Sequence, residues 1–363
     1  MTVALKVRLY PTKAQRFLLE EMLETCRRLY NNFLAQRKET YEATGKSPSK
    51  FDQIKSLTGT KNEWQLRVHS QVLQNVATRV QLAFDGFFRR VKSGETPGYP
   101  RFKGRGYYDS FTYPQSGFEL QESAVKLSKI GVVNAIVHRQ VEGKLKTCTL
   151  RRQNAKWFAC LVIETEDQPL EPTGESVGID VGLESFATLS TGEKVENPRL
   201  YRLDEKALAK AQRRLSKAEK GAKARRKARK VVARIHERIR NRRHNFVHQT
   251  ARKIVNLFDM IAVEDLNVSA LQKNHCLAKS IPDASWTMFR IVLAHKAESA
   301  GRRFVAVNPA YTSQDCSRCG TREKKTLSQR THQCVHCGLV LDRDHNAALN
   351  ILALGTQCLQ VDT

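Results

Sequence analysis

Apolar and polar residues alternate from Thr2 to Tyr10, the period of a half-buried strand, and Pro11 stops it. The period then changes. Leu19, Met22, Leu23, Cys26, Tyr30, Phe33 and Leu34 recur at helical spacing after a potential Thr12 cap, which predicts an amphipathic helix. A second helix is expected from about Trp64 to Val91. Val68, Val72, Val76, Val80, Leu82, Phe84, Phe87 and Phe88 supply its apolar side, and the Gly and Pro of Ser93–Pro100 end it. From Phe111 to Glu166 the period becomes two, and Val125–Leu127, Gly131–Val137, Lys146–Leu150 and Trp157–Ile163 read as short strands. The expectation is a small barrel-like β domain, completed by the first strand across a helical insertion.

Asp167–Gly174 has the composition of a linker. Beyond it, Ser176–Ser190 reads as an apolar strand, a turn around Gly182 and a second strand ending at the Thr191-Gly192 hairpin. Residues 202–243 are Ala-rich and nearly free of helix breakers apart from Gly221, and Ile235, Ile239, Phe246, Ile254 and Phe258 continue a helical stripe. Two long helices meeting near Gly221 are predicted. A buried strand at Leu257–Val263, a helix around 284–300, a strand at Arg303–Val307 and a helix starting near Asp344 follow.

Charge adds a partner to this picture. The chain has 363 residues with 62 Lys+Arg against 36 Asp+Glu, a net +26. Residues 202–243 alone hold 18 Lys/Arg and four acids, more than half of the excess. A basic run is often only a solvated face, but the helical stripe argues for order and the density for phosphate contact. Arg213, Arg214, Arg225, Arg226, Lys227, Arg229 and Arg242 are the candidate nucleic-acid contacts. No apolar run reaches the ~18 residues of a spanning helix, and the N-terminus lacks a signal peptide's apolar core, so a cytoplasmic, nucleoid-associated protein is expected.

Three acids stand at the ends of apolar elements: Asp180 in a strand, Glu264 at a strand end, Asp344 at a helix start. An acid in an apolar strand is costly unless it is paired or binds metal. In this order, within a βββ-helix-β-helix pattern, the three match the RNase H-like arrangement, in which carboxylates converge on two Mg²⁺ (or Mn²⁺) ions about 4 Å apart. Asp180 is expected to bridge the ions, with Glu264 and Asp344 completing one site each. Asp342 is the alternative third ligand, and Asp265 should point away. Sugar kinases and actin-like ATPases also open with Gly-Ile-Asp-x-Gly, but the later nucleotide loops they need are missing and +26 does not suit them.

Cys316, Cys319, Cys334 and Cys337 form C-x2-C-x14-C-x2-C, and Gly320 and Gly338 follow the two knuckles. Four thiolates at this spacing favour one tetrahedral, structural Zn²⁺. His332 and His336 are expected to be bystanders, or groups facing solvent or DNA. Cys26, Cys148, Cys160, Cys276 and Cys358 are read as inert thiols.

Gly178-Ile-Asp-Val-Gly182, Val263-Glu-Asp-Leu-Asn267 and the block from Ser313-Gln-x-Cys to Asp342-Arg-Asp-x-Asn-Ala-Ala-x-Asn350 resemble the TnpB family. Arg8-Leu-Tyr-Pro-Thr-x-x-Gln15 and Gly98-Tyr-Pro-Arg-Phe-Lys103 do so as well. These are transposon-encoded OrfB-type proteins related to miniature type V CRISPR nucleases. The resemblance implies a multidomain α+β chain: a wedge β-barrel at 1–10 and 95–170, a helical recognition insertion at 11–94, a RuvC-like nuclease at 174–310 and 341–356, a zinc ribbon at 311–340 and a short tail at 357–363. It further implies an RNA-guided DNA endonuclease with a guide RNA from the transposon end, on double-stranded DNA beside a short motif, as a monomer with its RNA or, alternatively, a dimer. Asp180, Glu264 and Asp344 match its catalytic positions. Gln74 would lie where the flanking duplex is read, and Arg330 would meet a phosphate or brace the ribbon. A DNA transposase using the same acids without RNA, and a non-catalytic zinc-ribbon regulator, are the alternatives.

Overall fold

The computed structural model describes residues 2–59, 61–139, 142–167, 169–268, 280–326 and 329–361, so Cys276 lies outside the described residues. The chain divides into two compact units, Met1–Glu166 and Asp167–Thr363.

In the first unit, β1 (Thr2–Tyr10) alternates as its sequence requires, with Leu5, Val7 and Leu9 buried. Pro11 and a Thr12/Gln15 capping box turn the chain into α1 (Lys13–Thr44), which ends at Gly45 in the left-handed region. The helices α2 (Lys50–Lys55), α3 (Glu63–Leu66) and α4 (Ser70–Lys92) follow. The remaining strands are β2 (Ser110–Tyr113), β3 (Phe118–Leu120), β4 (Ala124–Leu127), β5 (Gly131–Ile136), β6 (Lys144–Gln153) and β7 (Lys156–Glu164). They form one antiparallel sheet in the order β2-β6-β7-β1-β5-β4-β3. The first strand is therefore central: β1 pairs with β7 along almost its whole length and with β5 at its end. Its buried residues share one core with α1 and α4.

The single helix expected from Trp64 to Val91 is two. An Asn62/Gln65 capping box starts the short α3, and His69 is extended, with its ring 5.6 Å from that of Tyr113. Neither Gly nor Pro marks the break. Leu82 and Phe88 were expected on the apolar side but are exposed, because a 23-residue helix needs only one stripe to cover the sheet.

The second unit carries the sheet β10-β9-β8-β11-β12, built from β8 (Ser176–Val181), β9 (Ser185–Leu189), β10 (Lys194–Glu196), β11 (Met260–Glu264) and β12 (Arg303–Val307). The first three strands form an antiparallel meander, and β8, β11 and β12 are parallel. Between them lie α5 (Leu200–Lys217) and α6 (Lys223–Leu257), separated around Gly221 as the sequence predicts. Helix α6 runs through Leu257, so the strand begins at Met260, later than the apolar run suggests. The helices α7 (Ser280–Ala284) and α8 (Trp286–Ser299) precede β12, and the hairpin β13 (Thr331–Gln333) and β14 (Val340–Asp342) leads directly into α9 (Arg343–Val361). The positions expected to form a tail from 357 are helical as far as Val361.

The two sheet faces are covered differently. Val177, Ile179, Ile261 and Val263 pack with α6 and α8, and Phe186 sits edge-on between Phe246 and Phe289. On the opposite face Met260, Ala262 and Val307 meet Ile351 of α9. Gly178 explains how closely that helix lies: a Cβ there would fall 2.1 Å from the Ala348 carbonyl oxygen. Gly178→Ala is therefore expected to destabilise the second unit by about 3 kcal/mol, the upper range for overpacking. Denaturant unfolding of this variant measures it, and an unchanged midpoint would refute the close contact.

Candidate active site

Strand parity sets the site. Along β8, Val177 and Ile179 face α6 and α8, which puts Gly178 and Asp180 on the α9 face. Along β11, Met260 and Ala262 face α9, so Glu264 does too. The parallel register pairs Ala262 with Gly178 and Val263 with Ile179, which brings Glu264 level with Asp180 at the carboxyl ends of both strands. Asp344 enters from the first turn of α9. Its Oδ2 lies 3.9 Å from where a Gly182 Cβ would stand, two residues beyond Asp180.

The electrostatics agree with convergence. Burial, followed by the charges of Glu264 and Asp344, holds the Asp180 carboxyl well above the usual carboxylate range. Burial also raises Glu264, and the Thr312 hydroxyl, which donates to its Oε1, partly offsets this. The Arg343 guanidinium holds Asp344 Oδ1 from two nitrogens, at 3.0 and 3.1 Å. Such clustering of like charges is expensive without a cation. The carboxylates are not drawn into one tight knot: among the described residues, the group whose ligand atoms all lie within 4.8 Å is the cysteine tetrad.

Asp342 has a different task. Its Oδ1 accepts from the backbone N–H groups of Asp344 and His345, capping α9, and its Oδ2 takes the Lys194 ammonium at 2.7 Å. Burial opposes its charge, but Lys194 and these amides outweigh it and hold the carboxyl below its ordinary range. Both oxygens are occupied, which favours Asp344 as the third ligand. Asp265 is exposed and paired with Arg290, away from the cluster.

The four cysteine sulfurs pair closely, Cys316 with Cys337 at 3.6 Å and Cys319 with Cys334 at 3.5 Å. A tetrahedral ion with 2.3 Å bonds would set sulfurs about 3.8 Å apart, so the tetrad fits one. Gly320 and Gly338, both with positive φ, close the knuckles by donating to the Cys316 and Cys334 carbonyls. The Thr321 hydroxyl and backbone N–H pull the Cys319 thiol down to about 6, toward the ligating thiolate. Asn346 and Asn350, one turn apart on α9, tie this module to the helix. Asn346 accepts from Ser317 N and donates to Asp315 O, while Asn350 donates to the Thr312 and Asp315 carbonyls. Sequence reasoning found the acids but not these supports, nor Thr312 and Arg343.

Neither histidine joins the cysteine cluster, but of the two only His336 can face solvent or DNA. His336 is exposed, but His332 is fully buried, its ring against Lys325, because β13 turns it inward. The basic candidates also divide. Arg213, Arg214, Lys227 and Arg229 are exposed on α5 and α6. Arg225 instead donates to the Leu215 and Ala218 carbonyls, capping α5, and Arg226 approaches Gly221 O at 3.4 Å. Arg242 joins Arg238 on the buried Asp204. Arg330 pairs with Glu184 at 3.1 Å, and Gln74 is exposed on α4.

Family models described as "Probable transposase", "Cas12f1-like, TNB domain" and "Helix-turn-helix domain" match residues 160–275, 286–351 and 1–46. The last region is here one strand and one long helix. A Streptomyces pristinaespiralis protein named "Putative RNA-guided DNA endonuclease" is 38% identical, over 97% of this chain and 89% of its own length. The chain belongs to the TnpB family. Another relative, "Putative RNA-guided DNA endonuclease InsQ" of Escherichia coli K12, is 33% identical over 97% of this TnpB-family chain and 92% of its own. Among solved structures, a Cas12f1–sgRNA–target DNA complex matches with a TM-score of 0.60 at 14% identity, covering 97% of this chain and 98% of that one. CasPhi-2 bound to crRNA and phosphorothioate-DNA matches with 0.52 at 10% identity, covering 98% and 91%. At such identities these matches speak for the TnpB fold alone.

Proposed function

We propose that this TnpB-family chain is an RNA-guided DNA endonuclease that hydrolyses phosphodiester bonds of target DNA at Asp180, Glu264 and Asp344. The observation that carries the chemistry is the meeting of these three acids on one sheet face, with Asp180 buried against the other two. Oxygen-only donors of this kind suit Mg²⁺ or Mn²⁺, and bound ions would activate the attacking water and stabilise the leaving oxygen. Asp180, buried and within reach of the charges of both other acids, would be the shared ligand. Thr312 orients Glu264, and Arg343 fixes Asp344 while matching part of its charge. The strand order β10-β9-β8-β11-β12, with helices on both faces, supports a RuvC-like reading of the second unit. The cysteine tetrad would hold one structural Zn²⁺ in a closed site.

In this reading the sheet of the first unit is the wedge and α1–α4 the recognition insertion, with α4 and Gln74 toward the short motif beside the target. Pairing with a guide RNA from the transposon end supplies sequence selection, while the exposed cations of α5 and α6 hold backbones. No helix among the described residues is long and apolar enough to cross a membrane. The test is to purify the protein with its nucleic acid and sequence what remains bound. A defined transposon-end RNA, and plasmid cleavage only at sites matching it, is the expected result. Cleavage that proceeds unchanged after RNA removal would sink the guided reading and favour a transposase that needs no RNA.

A further inference from the structure

A cavity of about 380 Å³ opens at the turn between β8 and β9, lined among others by Glu184, Asn197, Arg199, Arg202, Asp283 and Arg330. It adjoins the catalytic edge through the chain itself. Glu184 stands four residues after Asp180. The Arg330 carbonyl accepts the N–H of Arg343, the residue before Asp344. The Asn197 side chain donates to Leu183 O at 2.9 Å and holds this turn against the start of α5.

Three exposed guanidinium groups from two separate segments line one hollow, an arrangement that water tolerates and that an anion would favour. The acids present supply little. Asp283 is engaged through Oδ1, which accepts from Arg243 at 2.8 Å and from Tyr201 N at 2.8 Å, while its Oδ2 is buried without a hydrogen-bond partner among the described residues. Among the described lining residues, that leaves Glu184 as the acid beside Arg199, Arg202 and Arg330. The Glu184–Arg330 pair is more than half exposed on both sides, the kind of ion pair that contributes about 0–1 kcal/mol and exchanges readily. Arg202 is oriented by Ser280, whose Oγ accepts from Nη2 at 3.1 Å. Forked donors converging from different directions match the oxygens of a phosphodiester.

We infer that this cavity is a phosphate seat: Arg199, Arg202 and Arg330 hold a backbone phosphate of the DNA strand led to the acids, and Glu184 occupies the seat until that strand arrives. The inference rests on the nuclease reading above. Arg199 and Arg202 are positioning residues, acting through the placement of the scissile bond.

The experiment uses the full-length protein–RNA complex and duplex targets carrying a single uncharged methylphosphonate linkage, stepped along the cleaved strand. Single-turnover cleavage is followed in Mg²⁺ and equilibrium binding in Ca²⁺. Wild type is expected to slow about tenfold at one linkage, the size of one lost charge-assisted contact. The Arg199→Ala/Arg202→Ala double variant is expected to lose about the same on unmodified DNA and nothing more at that linkage, while other linkages stay additive. Arg202→Lys should recover part of the loss. Glu184→Gln should tighten binding, whereas a bracing role for its ion pair would weaken it. Additive losses at every linkage, or Glu184→Gln behaving like the arginine variants, would overturn the seat. If wild type binds but cuts nothing, the nuclease reading fails, and the same coupling read from binding alone decides the seat.

Discussion

Asp180→Ala is expected to reduce RNA-guided cleavage by more than about a thousandfold, the loss of roughly 4 kcal/mol of transition-state stabilisation, while target binding by the protein–RNA complex survives. The reason is position: Asp180 is buried and feels the charges of both Glu264 and Asp344, as a shared ligand should. The same residue makes an opposite prediction for stability. In metal-free protein its charge is opposed by burial and by Glu264 and Asp344. Asp180→Asn should therefore raise the thermal midpoint of the metal-free second unit, by about 2–4 °C per kcal/mol relieved. Added Mg²⁺ should raise the midpoint of wild type and not that of the variant. Calorimetry with and without Mg²⁺, beside a cleavage assay, reads both. Retained cleavage would remove the two-ion assignment, and a lowered midpoint in the Asn variant would mean that the acids do not repel.

The second large effect concerns the cysteines. Wild type should carry one zinc per chain by elemental analysis, and Cys316→Ser should carry essentially none. Structural zinc supplies folding free energy on the order of 10 kcal/mol in small isolated modules, so the segment from Tyr311 to Val340 should lose its order. The damage should reach catalysis by a traceable route. Asn346 and Asn350 would lose the backbone groups they hold, and the Arg330–Arg343 bond that steadies the start of α9 would go with them. Cleavage should fall at least about a hundredfold although the cysteines are proposed to do no chemistry, because misplacement by about 1 Å is enough for such a loss. Acidification should have the same outcome as chelation, since ligating thiolates must stay deprotonated. Full zinc content in the Cys316→Ser protein would disprove the tetrathiolate site.

The acids were legible because charge inside apolar runs is conspicuous. Asp180 interrupts a strand whose neighbours are Val, Gly and Ile, and Glu264 follows Met-Ile-Ala-Val. The helix-start position favours Asp344 over Asp342 in the sequence; what the structure adds is that Asp342 caps the helix with its Oδ1. Gly178 was visible as part of a motif, but its reason, the approach of Ala348, depends on a helix 170 residues away in the chain. The order of the sheet strands could not be read from period alone. Nor could the break at His69, which is set by packing rather than by a breaker residue. The basic run showed the opposite failing. Eighteen cations in 42 positions look alike in sequence, yet Arg225 and Arg242 are engaged internally while Arg213 and Lys227 are exposed.

The late position of α9 has a consequence for how the protein is made. The cationic hairpin is complete at Leu257, and Asp344 follows 87 residues later. At about 5–20 residues per second of synthesis, the interval is on the order of 4–17 seconds. During it the exposed cations of α5 and α6 would, on the proposed reading, be free to meet nucleic acid, but the sheet face beneath α9 is bare and Asp344 has not been made. On the proposed reading of the three acids, the order of elements along the chain is thus a timer: a growing polypeptide is unable to cut, and the enzyme becomes armed only as its last helix settles onto Gly178.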